Sequence, residues 1–157
     1  MRRRGFRIIT LLTSLLVSAG TLVAFAAAPR FTRAEPGLLP DGGLVMSFEE
    51  TGLPESRLVT VWITARATIQ AECEDRRPNA RKPRQTKNPT KNVRVAANFT
   101  ADAQGRMQGR LIFQPPAGGC PRGTTRHLHQ VSYRYVRLMD RTNHTWRDLP
   151  GTFEKTL

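Results

Sequence analysis

Between Val59 and Glu72 the chain alternates almost without fault for fourteen residues. Val59, Val61, Ile63, Ala65, Ala67, Ile69 and Ala71 share one parity. Thr60, Trp62, Thr64, Arg66, Thr68, Gln70 and Glu72 share the other. Successive side chains of a strand point to opposite faces, so this pattern is a long strand with one buried and one wet face. A helix would smear the same residues around its axis. Cys73 continues the buried parity. Trp62 interrupts the polar face, either as an edge-packed side chain or as part of a binding surface.

The period of two recurs elsewhere. Leu44, Met46 and Phe48 alternate with Val45, Ser47 and Glu49 in a first strand. Val93, Val95, Ala97 and Phe99 alternate up to a turn at Asp102-Ala103-Gln104-Gly105, and Met107, Gly109, Leu111 and Phe113 alternate after it. This predicts a hairpin over 93–114, ended by Pro115-Pro116. Leu128 to Asp140 is the last long strand. Val131, Tyr133 and Tyr135 share one parity, whereas Val136 and Leu138 take the other, so a β-bulge is expected near Arg134 or Tyr135. A weaker closing strand lies within 144–156, broken by Pro150-Gly151. Residues 27–42 carry Pro29, Pro36, Pro40 and a Gly42-Gly43 step and read as a linker. All prolines fall outside these strands, and no segment shows a capped period of 3.6.

Six or seven short strands without helices predict an all-β domain over 43–157, an antiparallel β-sandwich (or a small barrel). It is immunoglobulin-like in size, but Trp62 precedes Cys73, which departs from the Cys…Trp…Cys order of that fold. The whole chain has 157 residues. That excludes (β/α)₈ barrels and most two-domain nucleotide enzymes.

The first 26 residues read as an address. Met1-Arg2-Arg3-Arg4-Gly5-Phe6-Arg7 is cationic, Ile8 to Phe25 carries no charge, and Ala24-Phe25-Ala26 places small residues where signal peptidase reads. A secretory signal peptide over 1–26, cut after Ala26, is expected. The alternative is an uncleaved anchor, since 18 uncharged residues are at the short edge of a membrane span. With cleavage, no membrane span remains. The chain carries 25 Lys+Arg against 12 Asp+Glu; removing residues 1–26 takes four arginines and no acid and leaves a net charge of +9. The expected location is secreted, extracellular or in the cell envelope.

Cys73 and Cys120 are the two cysteines, both in the exported part. An even count in an oxidising compartment reads as a disulfide. Closing a loop of that size removes about 4 kcal/mol of chain entropy from the unfolded state. The alternative, a reactive or metal-binding thiol, has no CxxC spacing behind it.

Residues 76–94 form the densest basic segment. Arg76, Arg77, Arg81, Lys82, Arg84, Lys87, Lys91 and Arg94 follow Asp75, with no acid until Asp102. Pro78, Pro83 and Pro89 oppose a helix, and like charges hold the loop open. Such a loop suits sequence-blind, salt-sensitive contact with an anionic cell-wall polymer through Arg76, Arg77, Arg81, Lys82, Arg84, Lys87 and Lys91. It has no aromatic residues for base stacking, which weakens a nucleic-acid reading. The competing reading is a solvated, variable loop.

Other chemistry is sparse. His127 and His129 share a face of a strand, and His144 follows the next turn, a spacing that metal sites use, but two exposed histidines at a strand end suffice to explain it. Ser47, Ser56 and Ser132 sit in no nucleophile elbow. Glu49, Glu50, Asp102 and Asp140 are the acids from which paired carboxylates would come. Glu49-Glu50 are adjacent, so a strand points them apart, and they are expected at solvent or in a turn. No glycine loop for phosphate occurs, so no nucleotide cofactor, no other cofactor, no metal site and no catalytic residue are assigned.

Ile63-Thr64-Ala65-Arg66-Ala67-Thr68-Ile69 running into Cys73, an Asn/Pro-rich loop (Asn79, Pro83, Gln85, Asn88-Pro89), Cys120-Pro121, and Val131-Ser132-Tyr133 together resemble a group of small secreted β-proteins of actinobacteria. The resemblance spans roughly residues 44–142. It implies export, the fold and the disulfide, and brings no catalytic residues. The loop of that group is nearly neutral, whereas here it is heavily basic. The expected role is therefore non-enzymatic: a structural or interaction protein outside the cell, contacting an anionic cell-wall polymer or an extracellular protein. A secreted inhibitor or ligand of another protein is the alternative, and a small metal-dependent hydrolase the third.

Overall fold

The structure is a computed structural model that describes residues 27–76 and 85–157. The expected signal peptide therefore lies outside the described residues, as do Arg77, Arg81, Lys82 and Arg84 of the basic loop. Eight strands run through the described residues: β1 (Arg30–Leu38), β2 (Leu44–Thr51), β3 (Leu58–Asp75), β4 (Gln85–Lys87), β5 (Thr90–Thr100), β6 (Arg106–Phe113), β7 (Thr124–Asp140) and β8 (Thr145–Thr156). They form two antiparallel sheets. The three-stranded sheet has the order β1-β2-β6. The five-stranded sheet is centred on β3, with β7 and then β8 on one side and β4 and β5 sharing the other. The chain is an all-β sandwich.

β3 behaves as its alternation dictates. Val59, Val61, Ile63, Ala67, Ile69 and Ala71 are fully buried, and the opposite parity is wet or half-buried. The inward faces of β2 and β6 meet it across the gap with Leu44, Met46, Met107 and Phe113, and β7 beside it in the same sheet adds Val131 and Leu138. Phe48 of one sheet packs edge-to-face on Phe99 of the other, with ring centroids 5.1 Å apart. Tyr133 stacks near Phe113 and donates its hydroxyl to the Gly42 carbonyl at 2.9 Å, tying β7 to the turn between β1 and β2. Burial pushes the Tyr133 phenol up to about 12, with the charge of Asp41 as the lesser cause. Cys73 on β3 and Cys120 in the connection before β7 form the disulfide, their Cα atoms 5.4 Å apart.

Three expectations are corrected. The segment 27–42 is not a linker throughout: Arg30–Leu38 pairs antiparallel with β2, with Pro36 opposite Met46. An edge strand tolerates a proline because one of its hydrogen-bonding margins has no strand beside it. The segment 93–114 is not a hairpin. β5 pairs with β3 and β6 pairs with β2, so the turn at Asp102–Gly105 carries the chain from one sheet to the other. Asp102 Oδ1 holds that turn, accepting from the N–H groups of Gln104 and Arg106 at 2.9 and 2.8 Å. The closing strand β8 also runs on through Pro150-Gly151 where a break was expected, with Gly151 at φ +102°.

The bulge in β7 falls where the parity switch places it. The β7–β8 register shifts between Arg134 and Val136, and Tyr135 sits at φ +54°. That left-handed conformation is uncommon for a bulky side chain. It leaves Tyr133 and Val136 both inward and turns Tyr135 out to solvent, 74% exposed.

Candidate functional site

The outer face of the five-stranded sheet gathers the residues that could meet a partner. Directly paired residues lie side by side on one face, so the register orders this surface in rows. The first row is Ala96–Trp62–Met139–Trp146. The next is Arg94–Thr64–Arg137–Asp148, and then Asn92–Arg66–Arg134–Thr152. Thr90–Thr68–Ser132–Glu154 follows, and then Gln70–Gln130–Thr156. One end is aromatic, the middle is basic, and the far end is made of hydroxyls and amides.

The basic middle is organised around rings. The guanidinium carbons of Arg94 and Arg141 lie 4.4 and 4.8 Å from the Trp62 ring centroid. The negative face of an indole attracts such cations and holds their long side chains in place. Arg141 is fixed further by its backbone N–H, which donates to the Thr60 carbonyl at 2.9 Å. Arg137 pairs with Asp148 through two contacts, 2.5 and 3.0 Å, and each holds the other's charge: Arg137 is raised and Asp148 lowered from its ordinary range. Arg66 and Arg134 stand exposed on neighbouring strands.

Tyr135 rises among them. A groove of about 740 Å³ on one side is lined by Thr64, Arg134, Arg137 and Leu149. A hollow of about 620 Å³ on the other is lined by Arg66, Asn92 and Arg94. Tyr135 borders both. Trp146 is a second exposed ring, 60% accessible, at the aromatic end.

The residues expected to form the polyanion loop divide. Arg76 donates to Thr125 Oγ1 at 3.3 Å. Lys87 and Lys91 pair with Ala71 and Ala67, which places them on the inward parity at the sheet edge and not on the arginine face. There Lys91 Nζ donates to the Ala117 carbonyl at 2.8 Å, and Lys87 lies near Gly119. Among the described residues of the basic segment, Arg94 joins the outer face.

The histidines are occupied locally. His127 Nε2 lies 3.0 Å from Glu74 Oε2 and His129 Nε2 lies 3.4 Å from Glu72 Oε2, all on the β3–β7 pair, while His144 stands in the turn before β8 at φ +57°. Among the described residues no group of three or more His, Cys, Asp or Glu is placed to hold a metal. No helix among them is long and apolar enough to cross a membrane.

One feature corrects the expectation for the acids. Glu50 lies neither at solvent nor in a turn; it points into the sandwich on β2 and is completely buried, as is Asp140 on β7. Asp140 is well satisfied: Oδ1 accepts from the N–H groups of Thr142 and Asn143 at 2.7 and 3.0 Å, and Oδ2 from Asn143 Nδ2 at 2.6 Å. Among the described residues neither Glu50 oxygen has a hydrogen-bond partner. Burial, then the charge of Asp140, then the Asp140 carboxylate as a nearby acceptor push the Glu50 carboxyl up to about 8. The pair is closed to solvent and lies in the core, so it is a structural acid pair without substrate access.

The outer face spreads its cations across neighbouring strands, exposes the Tyr135 and Trp146 rings and offers hydroxyl and amide groups on its floor, an arrangement suited to holding an anion. No protein-family model matches the chain, and no curated protein is significantly similar to it.

Proposed function

We propose that the protein is an exported, non-enzymatic interaction module of the extracellular space or cell envelope that holds an anionic polymer. The observation that supports this most is the cluster of five guanidinium groups (Arg66, Arg94, Arg134, Arg137 and Arg141) on one sheet face, against Asp148 and Glu154 as carboxylates in the same rows. Such a field draws in a polyanion and displaces its counterions. Of the described residues of the basic segment, Arg94 contributes to this face. The disulfide and the signal-like start fit a protein working outside the cytosol.

The second reading is a secreted ligand or inhibitor of another protein. It is favoured by the apolar end of the same face, where Trp62, Met139 and Trp146 line up across three strands, with exposed Leu58 further along β3. Salt separates the two, because charge contacts are screened and apolar ones are not.

The test is retention of the purified protein on an anionic cell-wall polymer across a salt gradient. Two variants run beside it: one neutralising Arg76, Arg77, Arg81, Lys82, Arg84, Lys87 and Lys91, and one carrying Arg66→Gln, Arg94→Gln and Arg134→Gln. The expected result is retention that falls steeply between low and high salt and is lost in the face variant. Salt-insensitive retention, or none, would overturn the proposal.

A further inference from the structure

Every described lysine on the five-stranded sheet lies on the inward parity: Lys87 pairs with Ala71, Lys91 with Ala67 and Lys155 with Val131. Among the described residues the Lys and Arg cations of the outer face are arginines, while Arg126 and Arg147 share the inward parity with the lysines. A lysine serves any anion as a point charge, whereas the planar guanidinium fork matches two coplanar oxygens. The fork meets carboxylate and phosphate oxygens alike, so the arginines call for an oxyanion and their surroundings choose among oxyanions.

The surroundings of the arginines narrow the ligand further. Tyr135 stands between a groove edged by Arg134 and Arg137 and a hollow edged by Arg66 and Arg94. Any ring laid on Tyr135 therefore has guanidinium groups within reach on both sides. The C–H groups of a sugar ring carry slight positive charge and settle on the negative face of an aromatic ring. The neighbouring floor is Thr64, Thr68, Ser132 and Gln130, short hydroxyl and amide side chains that match a hydroxyl-rich ligand. Strands lie about 4.8 Å apart, so Arg66 and Arg134, paired across β3 and β7, offer two forks side by side to an extended chain.

We infer that the anionic polymer is an acidic polysaccharide of the uronate class, with its carboxylates on Arg66, Arg94 and Arg134 and its rings on Tyr135 and Trp146. This rests on the polyanion reading above and is tested so that the two fail separately.

The full chain is titrated with three probes at equal residue concentration: polygalacturonate, the same polymer fully methyl-esterified, and inorganic polyphosphate. Single-stranded DNA is a fourth arm, and sedimentation reports self-association. The variants are Arg66→Lys with Arg134→Lys, which keeps charge and removes the fork, Trp146→Ala, and Tyr135→Gly, which fits the left-handed backbone. A thermal melt of each confirms folding. Polygalacturonate is expected to bind at least tenfold more tightly than the ester or polyphosphate. The lysine variant and each ring variant are expected to lose about five- to tenfold. Equal binding of polyphosphate and polygalacturonate, with the ring variants unchanged, would overturn the polysaccharide assignment and leave the polyanion reading standing. So would a preference for DNA. Equal binding of the ester would overturn the carboxylate role, and binding of none of the probes, or self-association through this face, would overturn both proposals.

Discussion

Glu50 on β2 and Asp140 on β7 bury two acids at one end of the sandwich core, one from each sheet, with only Asp140 supplied with hydrogen-bond donors. The proton on Glu50 follows from this: burial disfavours its charge, and Asp140 adds to the penalty. The folded-state value of about 8 lies above the unfolded value of 4.5. Its contribution is therefore fully favourable below pH 4.5 and is lost as pH rises to about 8, at roughly 1.4 kcal/mol per pH unit. Glu50→Gln removes the titration. Thermal melts from pH 4 to 9 are expected to show the variant gaining on the wild type by about 3 kcal/mol between pH 4.5 and 7. Parallel curves for the two proteins would show that Glu50 ionises at no cost.

Tyr135 holds a left-handed backbone at the β7 bulge with no apparent need for its ring in the core. A non-glycine residue there costs about 1–3 kcal/mol, part of which glycine returns as chain entropy in the unfolded state. Tyr135→Gly is expected to stabilise the protein by about 1 kcal/mol in urea unfolding while weakening polymer binding. A loss of stability would mean that the ring packs on its neighbours more than its exposure suggests.

Tyr133→Phe deletes the buried hydroxyl that reaches Gly42 across 91 residues of sequence. The Gly42 carbonyl then loses a donor in a closed site, which costs about 1–2 kcal/mol. Equilibrium unfolding measures this directly, and an unchanged midpoint would show that water replaces the phenol.

Replacing both Cys73 and Cys120 by Ala opens a loop of 47 residues. The loss expected from chain entropy is about 4 kcal/mol. Wild-type protein unfolded in urea with and without reductant should show the same difference as the double variant, and a much smaller gap would indicate that the unfolded chain is already compact there.

Much of this was legible because strand parity is local. β3, the inward run of β2 and the bulge at Tyr135 each follow from which neighbours are apolar. The same rule carried two residues further reaches Glu50, which continues Leu44, Met46 and Phe48, and Asp140, which continues Val136 and Leu138. Their charge argued for solvent, yet the parity was already inward. Strand pairing is not local in this sense. Two alternating runs around Asp102–Gly105 read alike whether the chain folds back in one sheet or crosses to the other. The arginine face was hidden for the same reason: Arg66, Arg94, Arg134 and Arg137 come from three strands, and only the register sets them side by side. The run of charge at 76–94 drew notice because it is contiguous, although Lys87 and Lys91 end on the opposite parity from Arg94.

The placing of β3 between distant partners also bears on folding. Its edges are filled by β5 on one side and β7 on the other, and Thr64 meets Arg137 across 73 residues of chain. A chain emerging from its N-terminus shows the long alternating segment well before β7 exists to cover it. Pairings this distant are slow to find, on the order of milliseconds to seconds for all-β domains. Through that interval the apolar edge of β3 is open to any other strand, and the yield of native protein depends on keeping chains apart until residue 140 has arrived.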